Sequence, residues 1–250
     1  MSEEQSGSES AKEKSAQMGL IEHLDELRRR LIYALIAVGI GCIGGWFFSP
    51  TALNLIIPPT VKVQYLGPAD AFMWRLRVAG VLGILIAAPI LIIQIWLFIA
   101  PALKPTEKKM ALPTIFSAII LFFVGGGFGI STVKYTLKVL EQFSWGSVQP
   151  NYSLDRYISF VTAFLFSFAV VFEIPVVLVM LAKIGIVSYK RLAASRRYAL
   201  LIAVIAAAIL TPTGDLPTLS FVAIPIYILY EISLLIIRFT TPKKAPETDE

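Results

Sequence analysis

Six apolar stretches, five of them long, dominate this chain, and polar or proline-rich segments separate them. A helix needs about 20 mainly apolar residues to cross the ~30 Å hydrocarbon core of a bilayer. The pattern therefore predicts an all-α, polytopic membrane protein with six transmembrane helices. The predicted spans are residues 31–48, 72–100, 111–137, 157–182, 198–210 and 216–237.

The segments around these spans predict how the chain is organised. Residues 1–17 are polar, acidic and rich in serine, which is typical of a disordered tail, and residues 240–250 form a second polar tail. Between them, residues 18–239 form the membrane domain. In residues 18–30, leucines and isoleucine recur at helical spacing, which predicts an amphipathic helix on the membrane surface. Residues 51–70 contain several prolines and predict a structured loop with short helices at best.

The fifth span is short for a transmembrane helix. Residues 198–210 rise only ~20 Å, which is less than the thickness of the hydrocarbon core. We therefore expect the bilayer to be thinner around the last two spans.

Composition supports the membrane assignment, because 56% of the residues are hydrophobic, 16% are charged and the mean hydropathy is +0.74. A soluble domain has about a quarter of its residues charged. The net charge of +5 does not indicate nucleic-acid binding, since the basic residues cluster in loops between spans. With both termini cytoplasmic, roughly sixteen basic residues face the cytoplasm and six face the other side, as the positive-inside rule requires.

One acid interrupts the fourth span. Glu173 lies about ten residues before Lys183, which places it near the middle of the bilayer. A carboxylate facing lipid there is costly, so we expect Glu173 to line a polar cavity or the interior of the helix bundle as an intramembrane polar site. The alternative is a hydrogen bond to a neighbouring helix that serves only helix association.

Glu26 and Glu107 are candidates for binding a cationic ligand, because both fall on the predicted cytoplasmic side. Two carboxylates at one face suit arginine, whose guanidinium pairs with them in a geometrically selective way. The alternative is a local surface pair, such as Glu26 with Arg29 or Arg30, which would contribute little.

Other polar residues have simpler explanations. Glu231 lies about two turns before Arg238 and needs only a structural partner or water, while Asp215 follows Pro212 in a turn. His23 is expected to be solvated. The glycines of residues 125–129 lack the lysine of a phosphate-binding loop and favour close helix packing. We find no metal-ligand cluster and no nucleophile–base motif, so neither an enzyme nor a cofactor is expected.

Several segments, taken in order, resemble the TatC family, the multispanning subunit of the twin-arginine protein translocase. The resemblance runs from about Met18 to Phe239. It rests on the sequences HLDELRRR at residues 23–30, QIWLFIAPAL at 94–103, Glu107, FEIP at 172–175, and Thr211-Pro212 with Asp215. One departure is Leu219, where a polar residue is expected near the start of the sixth span.

This resemblance implies a function and a set of site residues. TatC-like proteins bind the twin-arginine signal peptides of folded substrates at the cytoplasmic face. The signal-peptide site would consist of Glu26, Arg28, Phe98 and Glu107. Glu173 would line the concave inner face of the bundle, and Pro59 also matches a family position.

The resemblance also implies partners and a location. The family works with single-span TatA-like and TatB-like subunits, which would dock along spans five and six. Self-association in a receptor complex, contact with membrane lipids, and export driven by the proton-motive force are implied as well. The location would be a bacterial, archaeal or organellar cytoplasmic membrane.

Two rival functions remain open at this point. A proton- or ion-coupled transporter would use Glu173 as its relay, although the related, paired broken helices typical of such folds are not evident. A pure assembly scaffold would bind no peptide, so that removing Glu26 or Glu107 would leave peptide binding unchanged.

Overall fold

The computed structural model of the chain describes residues 2–58, 61–100, 111–142, 151–211 and 216–240, with side chains from Ile21 onward. This part of the chain is almost entirely helical. In chain order its elements are α1 (Ser2–Ile56), β1 (Val63–Gln64), α2 (Asp70–Ile99), α3 (Ala111–Glu141), β2 (Tyr152–Ser153), α4 (Leu154–Val171), α5 (Ile174–Lys183), α6 (Tyr189–Ala194), α7 (Arg196–Leu210) and α8 (Leu216–Thr240).

Five helical stretches of the described residues are long and apolar enough to cross a membrane. The predicted fifth span corresponds to α7, which has 15 residues and rises only about 22 Å. By length alone α7 therefore falls short of a full crossing. The five longer stretches are Ile21–Ile56, Asp70–Ile99, Ala111–Glu141, Leu154–Lys183 and Leu216–Thr240.

Helix α1 differs from the prediction at both of its ends. It begins at Ser2, inside the segment expected to be disordered, and it continues without a break past Arg30 into the first span. Glutamate, lysine, glutamine and alanine are good helix formers, so this polar segment can extend a helix that the span already nucleates. The helix also passes Pro50, where the sequence predicts an end. Pro50 has no N–H for the Trp46 carbonyl, and Ser49 Oγ donates to that carbonyl over 2.8 Å instead.

The predicted fourth span is two helices rather than one. Pro175 has no N–H to donate to the carbonyl of Val171, so the regular hydrogen-bond pattern cannot continue. Helix α4 ends at Val171 and α5 begins at Ile174, with Phe172 and Glu173 between them. The break therefore lies at Glu173 itself, within the candidate span Leu154–Lys183.

The all-α prediction misses one small sheet. Strands β1 and β2 pair in parallel, with Val63 opposite Tyr152 and Gln64 opposite Ser153. Asn151 Nδ2 also donates to Gln64 Oε1 over 2.9 Å. The two strands join the loop after α1 to the segment before α4. Strands of two residues are too short to leave a periodic pattern in the sequence.

The main core lies where α3, α4, α7 and α8 meet. Close packing of α3 on α4 depends on two glycines, as the glycine run predicts. A Cβ at Gly125 would lie 2.5 Å from the Phe168 carbonyl oxygen, and one at Gly129 would lie 2.6 Å from that of Phe164. The Phe128 ring fills the adjoining space, with its centroid 5.0 Å from that of Phe168. Helix α1 packs mainly on α2, outside this core.

Candidate functional site

Three of the predicted signal-peptide residues, Glu26, Arg28 and Phe98, lie at the end of the α1–α2 hairpin where α2 finishes. Arg30 is the side chain that joins the two helices there. Its Nη2 lies 3.2 Å from Glu26 Oε1, and its Nη1 donates to Gln94 Oε1 over 3.4 Å. Glu26 thus forms a local ion pair with Arg30, which is the alternative to ligand binding that the sequence predicts. The pair is partly accessible, since the Glu26 side chain is 27% exposed.

Aromatic rings make a second contact between the same two segments. The ring of His23 stacks on that of Phe98, with 4.4 Å between centroids and an interplanar angle of 15°. Because His23 precedes Glu26 by three residues, both side chains lie on the face of α1 that meets α2. His23 is exposed, as expected, but its contact with Phe98 was not anticipated. The helical spacing of residues 23, 26 and 30 was the available signal.

The charges of this segment balance one another. Glu22, Asp25 and Glu26 supply three carboxylates, and Arg28, Arg29 and Arg30 supply three guanidiniums. Arg28 is exposed, and Arg29 Nε donates to the Tyr33 hydroxyl over 3.4 Å. A neutral segment exerts little long-range attraction on a cationic ligand, so strong attraction of one would need a further carboxylate nearby.

Three of the predicted site residues lie outside the described residues. These are Pro59, Glu107 and Asp215. Their proposed roles therefore stay predictions.

Glu173 occupies the break between α4 and α5. Its N–H donates to the Val170 carbonyl over 3.1 Å, and its carbonyl accepts from the N–H of Val177 at 3.0 Å. The side chain is half-buried, and its Oε1 is buried with no hydrogen-bond partner among the described residues. The helix-to-helix hydrogen bond that the sequence offers as an alternative is not formed by Oε1 there.

Glu231 has the structural partner that the sequence expects. Arg196 at the start of α7 binds it through two contacts, Nε to Oε1 at 2.9 Å and Nη2 to Oε2 at 3.0 Å. The Tyr227 hydroxyl also donates to Oε1 over 2.9 Å. This forked pair ties the start of α7 to the last turns of α8, and sequence reasoning did not identify Arg196 as the partner.

A second ion pair that sequence reasoning missed lies at the opposite end of the bundle. Arg77 Nη1 lies 2.8 Å from Asp155 Oδ1 and also donates to Ser159 Oγ. The pair ties the start of α2 to the start of α4. Residues so far apart in the chain carry no spacing signal for such a contact.

Among the described residues, no group of three histidine, cysteine or acidic side chains is arranged to hold a metal ion. The polar side chains at the α1–α2 end are suited to binding a charged ligand rather than to catalysis. They combine a carboxylate, donors and an aromatic stack.

Comparisons with known proteins agree with the sequence resemblance. The family model for "Sec-independent protein translocase protein (TatC)" matches residues 22–225. TatC of Carboxydothermus hydrogenoformans is 41% identical over 232 residues, which cover 91% of this chain and 96% of that protein. TatC of Aquifex aeolicus is 35% identical over 236 residues, covering 91% and 98%.

Solved structures match in fold as well. A crystal structure of a twin-arginine translocase receptor, TatC, superposes with a TM-score of 0.76 at 34% identity, covering 88% of this chain and all of that one. A second TatC crystal structure, determined in the detergent DDM, gives a TM-score of 0.77 at 33% identity, with coverage of 86% and 99%. On these grounds the chain belongs to the TatC family of Sec-independent protein translocase proteins, and it is a multi-pass membrane protein.

Proposed function

We propose that this chain is the subunit of a twin-arginine translocase that binds twin-arginine signal peptides at the cytoplasmic face. The main support for this proposal is the contact between residues 23–30 of α1 and the last turns of α2. It brings Glu26, His23 and Phe98 together at one end of the hairpin. These are the two segments on which the family resemblance mainly rests.

The geometry suggests how an arginine would be selected. Glu26 is paired with Arg30, and a guanidinium of the peptide would replace Arg30 on the carboxylate. Arg30 would keep its hydrogen bond to Gln94, so its guanidinium would retain one partner after the exchange. The planar guanidinium could also stack on the His23–Phe98 rings. A lysine ammonium offers neither the fork nor the planar face.

The second arginine of the signal would bind Glu107. Residues 22–30 are neutral overall, so a second carboxylate beside Glu26 would supply the anionic partner that the second arginine needs. Arg28 would shape the rim of the same patch.

We further propose six transmembrane spans with both termini in the cytoplasm. Arg196 begins α7 and binds Glu231 near the end of α8, so the two helices run antiparallel. A short α7 in a locally thinned bilayer would then be a crossing, and the basic residues would fall mainly on the cytoplasmic side.

In the translocase, this subunit would take part in export of folded proteins driven by the proton-motive force. TatA-like and TatB-like subunits would dock along α7 and α8, and self-association and lipid contact would complete the receptor complex. Glu173 would contact partners or water within the bundle. Pro59, Asp215 and Glu231 would have structural or partner-binding roles, and the ion pair with Arg196 supports a structural one for Glu231.

The test is a binding titration of the purified protein in detergent with a twin-arginine signal peptide and its twin-lysine version. Hydrogen bonds to charged groups contribute about 1.5–3 kcal/mol, so we expect the arginine peptide to bind roughly tenfold to a hundredfold tighter. Glu26→Gln and Glu107→Gln should each remove most of that preference.

Glu22→Gln is the matched control, because it makes the same charge change on an exposed position of the same helix. It should leave the preference for arginine intact. Equal binding of both peptides to the unmodified protein would exclude the receptor function. Loss of the preference in Glu22→Gln as well would mean that overall charge, not this site, selects the peptide.

A further inference from the structure

A cavity of about 360 Å³ lies between α2, α3, α5 and α8, near the end of the bundle where α2 and α5 finish. Its volume is within the range of about 300–1,000 Å³ that small-molecule sites occupy. The walls are mainly apolar, and they come from helices in four of the candidate membrane spans. Residues used below that line it are Trp96, Val179 and Lys183.

Trp96, which lines the cavity, has an unused hydrogen-bond donor. This residue is only 9% exposed, and its Nε1 is buried with no partner among the described residues. The indole N–H can donate but cannot accept, and leaving such a group unpaired costs about 1–3 kcal/mol. An occupant with an acceptor oxygen would remove this cost.

Lys183 gives the same cavity a positive charge. It is half-buried in the last turn of α5, and it takes part in none of the ion pairs among the described residues. A half-buried ammonium in an apolar wall favours an anionic partner. The cavity wall therefore combines mainly apolar side chains with the Trp96 indole and the Lys183 ammonium.

We propose that this cavity binds an anionic phospholipid. One acyl chain fills the apolar interior, an ester carbonyl accepts the Trp96 N–H, and the phosphate pairs with Lys183. In a membrane, lipids surround these helices. Basic pockets between transmembrane helices bind anionic lipid head groups. The bound lipid would connect α2 with α5 and α8, which have no ion pair with α2 among the described residues.

The test measures how much dioleoyl phosphatidylglycerol or dioleoyl phosphatidylcholine stays bound to the detergent-purified protein in native mass spectrometry. We expect phosphatidylglycerol to bind roughly fivefold to tenfold tighter. Lys183→Gln should abolish that difference, while Trp96→Phe, which keeps the ring without its N–H, should weaken both lipids several-fold. Val179→Trp should fill the cavity and reduce retention of both.

Lys190→Gln is the matched control, since Lys190 is an exposed lysine of α6 and does not line the cavity. Its lipid binding should equal that of the unmodified protein, and thermal unfolding checks that every variant is folded. Unchanged lipid binding in Lys183→Gln and Trp96→Phe would overturn the proposal. If these two variants bind lipid normally but bind a signal peptide more weakly in lipid-free detergent, the occupant of the cavity is the peptide, and the proposal is likewise overturned.

Discussion

At the scale of single residues, two glutamates in apolar candidate membrane spans are in opposite situations. Glu231 binds both nitrogens of a guanidinium and accepts a tyrosine hydroxyl. Glu173 has a buried oxygen with no partner among the described residues. A buried polar group without a partner lowers stability, and such groups are retained where function requires them. The two acids should therefore respond differently to the same substitution.

We expect Glu173→Leu to stabilise the purified protein in detergent by about 1 kcal/mol, because it removes an unsatisfied buried group. The same variant should reduce export in cells that lack their own TatC. Glu231→Leu is the comparison, and it should destabilise the protein by about 1 kcal/mol or less, since the ion pair with Arg196 is partly exposed. Thermal unfolding measures both effects.

A lower melting temperature for Glu173→Leu would contradict this account. Glu173 would then form a stabilising contact, and its role would be structural. Full export activity in the same variant would remove any functional need for the carboxylate.

At the scale of elements, the contact of α3 with α4 depends on which glycines face the neighbouring helix. Gly125 and Gly129 lie against backbone carbonyls of α4, whereas a Cβ at Gly127 would meet nothing within 4 Å. Glycines at helix interfaces let backbones approach closely, but a glycine on an open face only weakens the helix. Position, rather than glycine content, therefore determines the packing.

Alanine substitutions should separate these two effects. Gly125→Ala should destabilise the protein by about 1–3 kcal/mol, because the new methyl group would force α3 away from the carbonyl of Phe168. Gly127→Ala should be neutral or stabilise by up to about 1 kcal/mol, since alanine favours helix. Thermal unfolding in detergent checks both, and equal effects of the two variants would show that helix propensity alone is responsible.

The sequence predicts these helices well because lipid imposes a strong length and polarity requirement on each span. It does not predict the break at Glu173 as a boundary between two helices, although Pro175 is its visible cause. It also misses Arg77 with Asp155 and Arg196 with Glu231, since contacts between distant residues depend on how helices pack. For the candidate site, the chemistry of the sequence proposes Glu26 and the family resemblance adds Phe98, but the bridge through Arg30 to Gln94 requires the structure.

At the scale of the whole molecule, the topology depends on how many helices cross the membrane. By length alone α7 does not count as a span, which leaves five crossings. An odd number of crossings would put the two ends of the described chain on opposite sides of the membrane. The Arg196–Glu231 pair argues for six, because it holds the start of α7 beside the last turns of α8. Tyr230 supports the same arrangement, since its hydroxyl donates to the Leu192 carbonyl over 2.7 Å.

Cysteine labelling of intact cells tests this topology directly. Lys190→Cys and Thr240→Cys are exposed positions before α7 and at the end of α8, and both should react with an impermeant maleimide only after the membrane is opened. Gln64→Cys, in β1 at the opposite end, should react without opening. The parent chain is the control, because its one cysteine, Cys42, lies within a candidate span. If Thr240→Cys reacts in intact cells while Lys190→Cys does not, α7 fails to cross and the six-span topology is wrong.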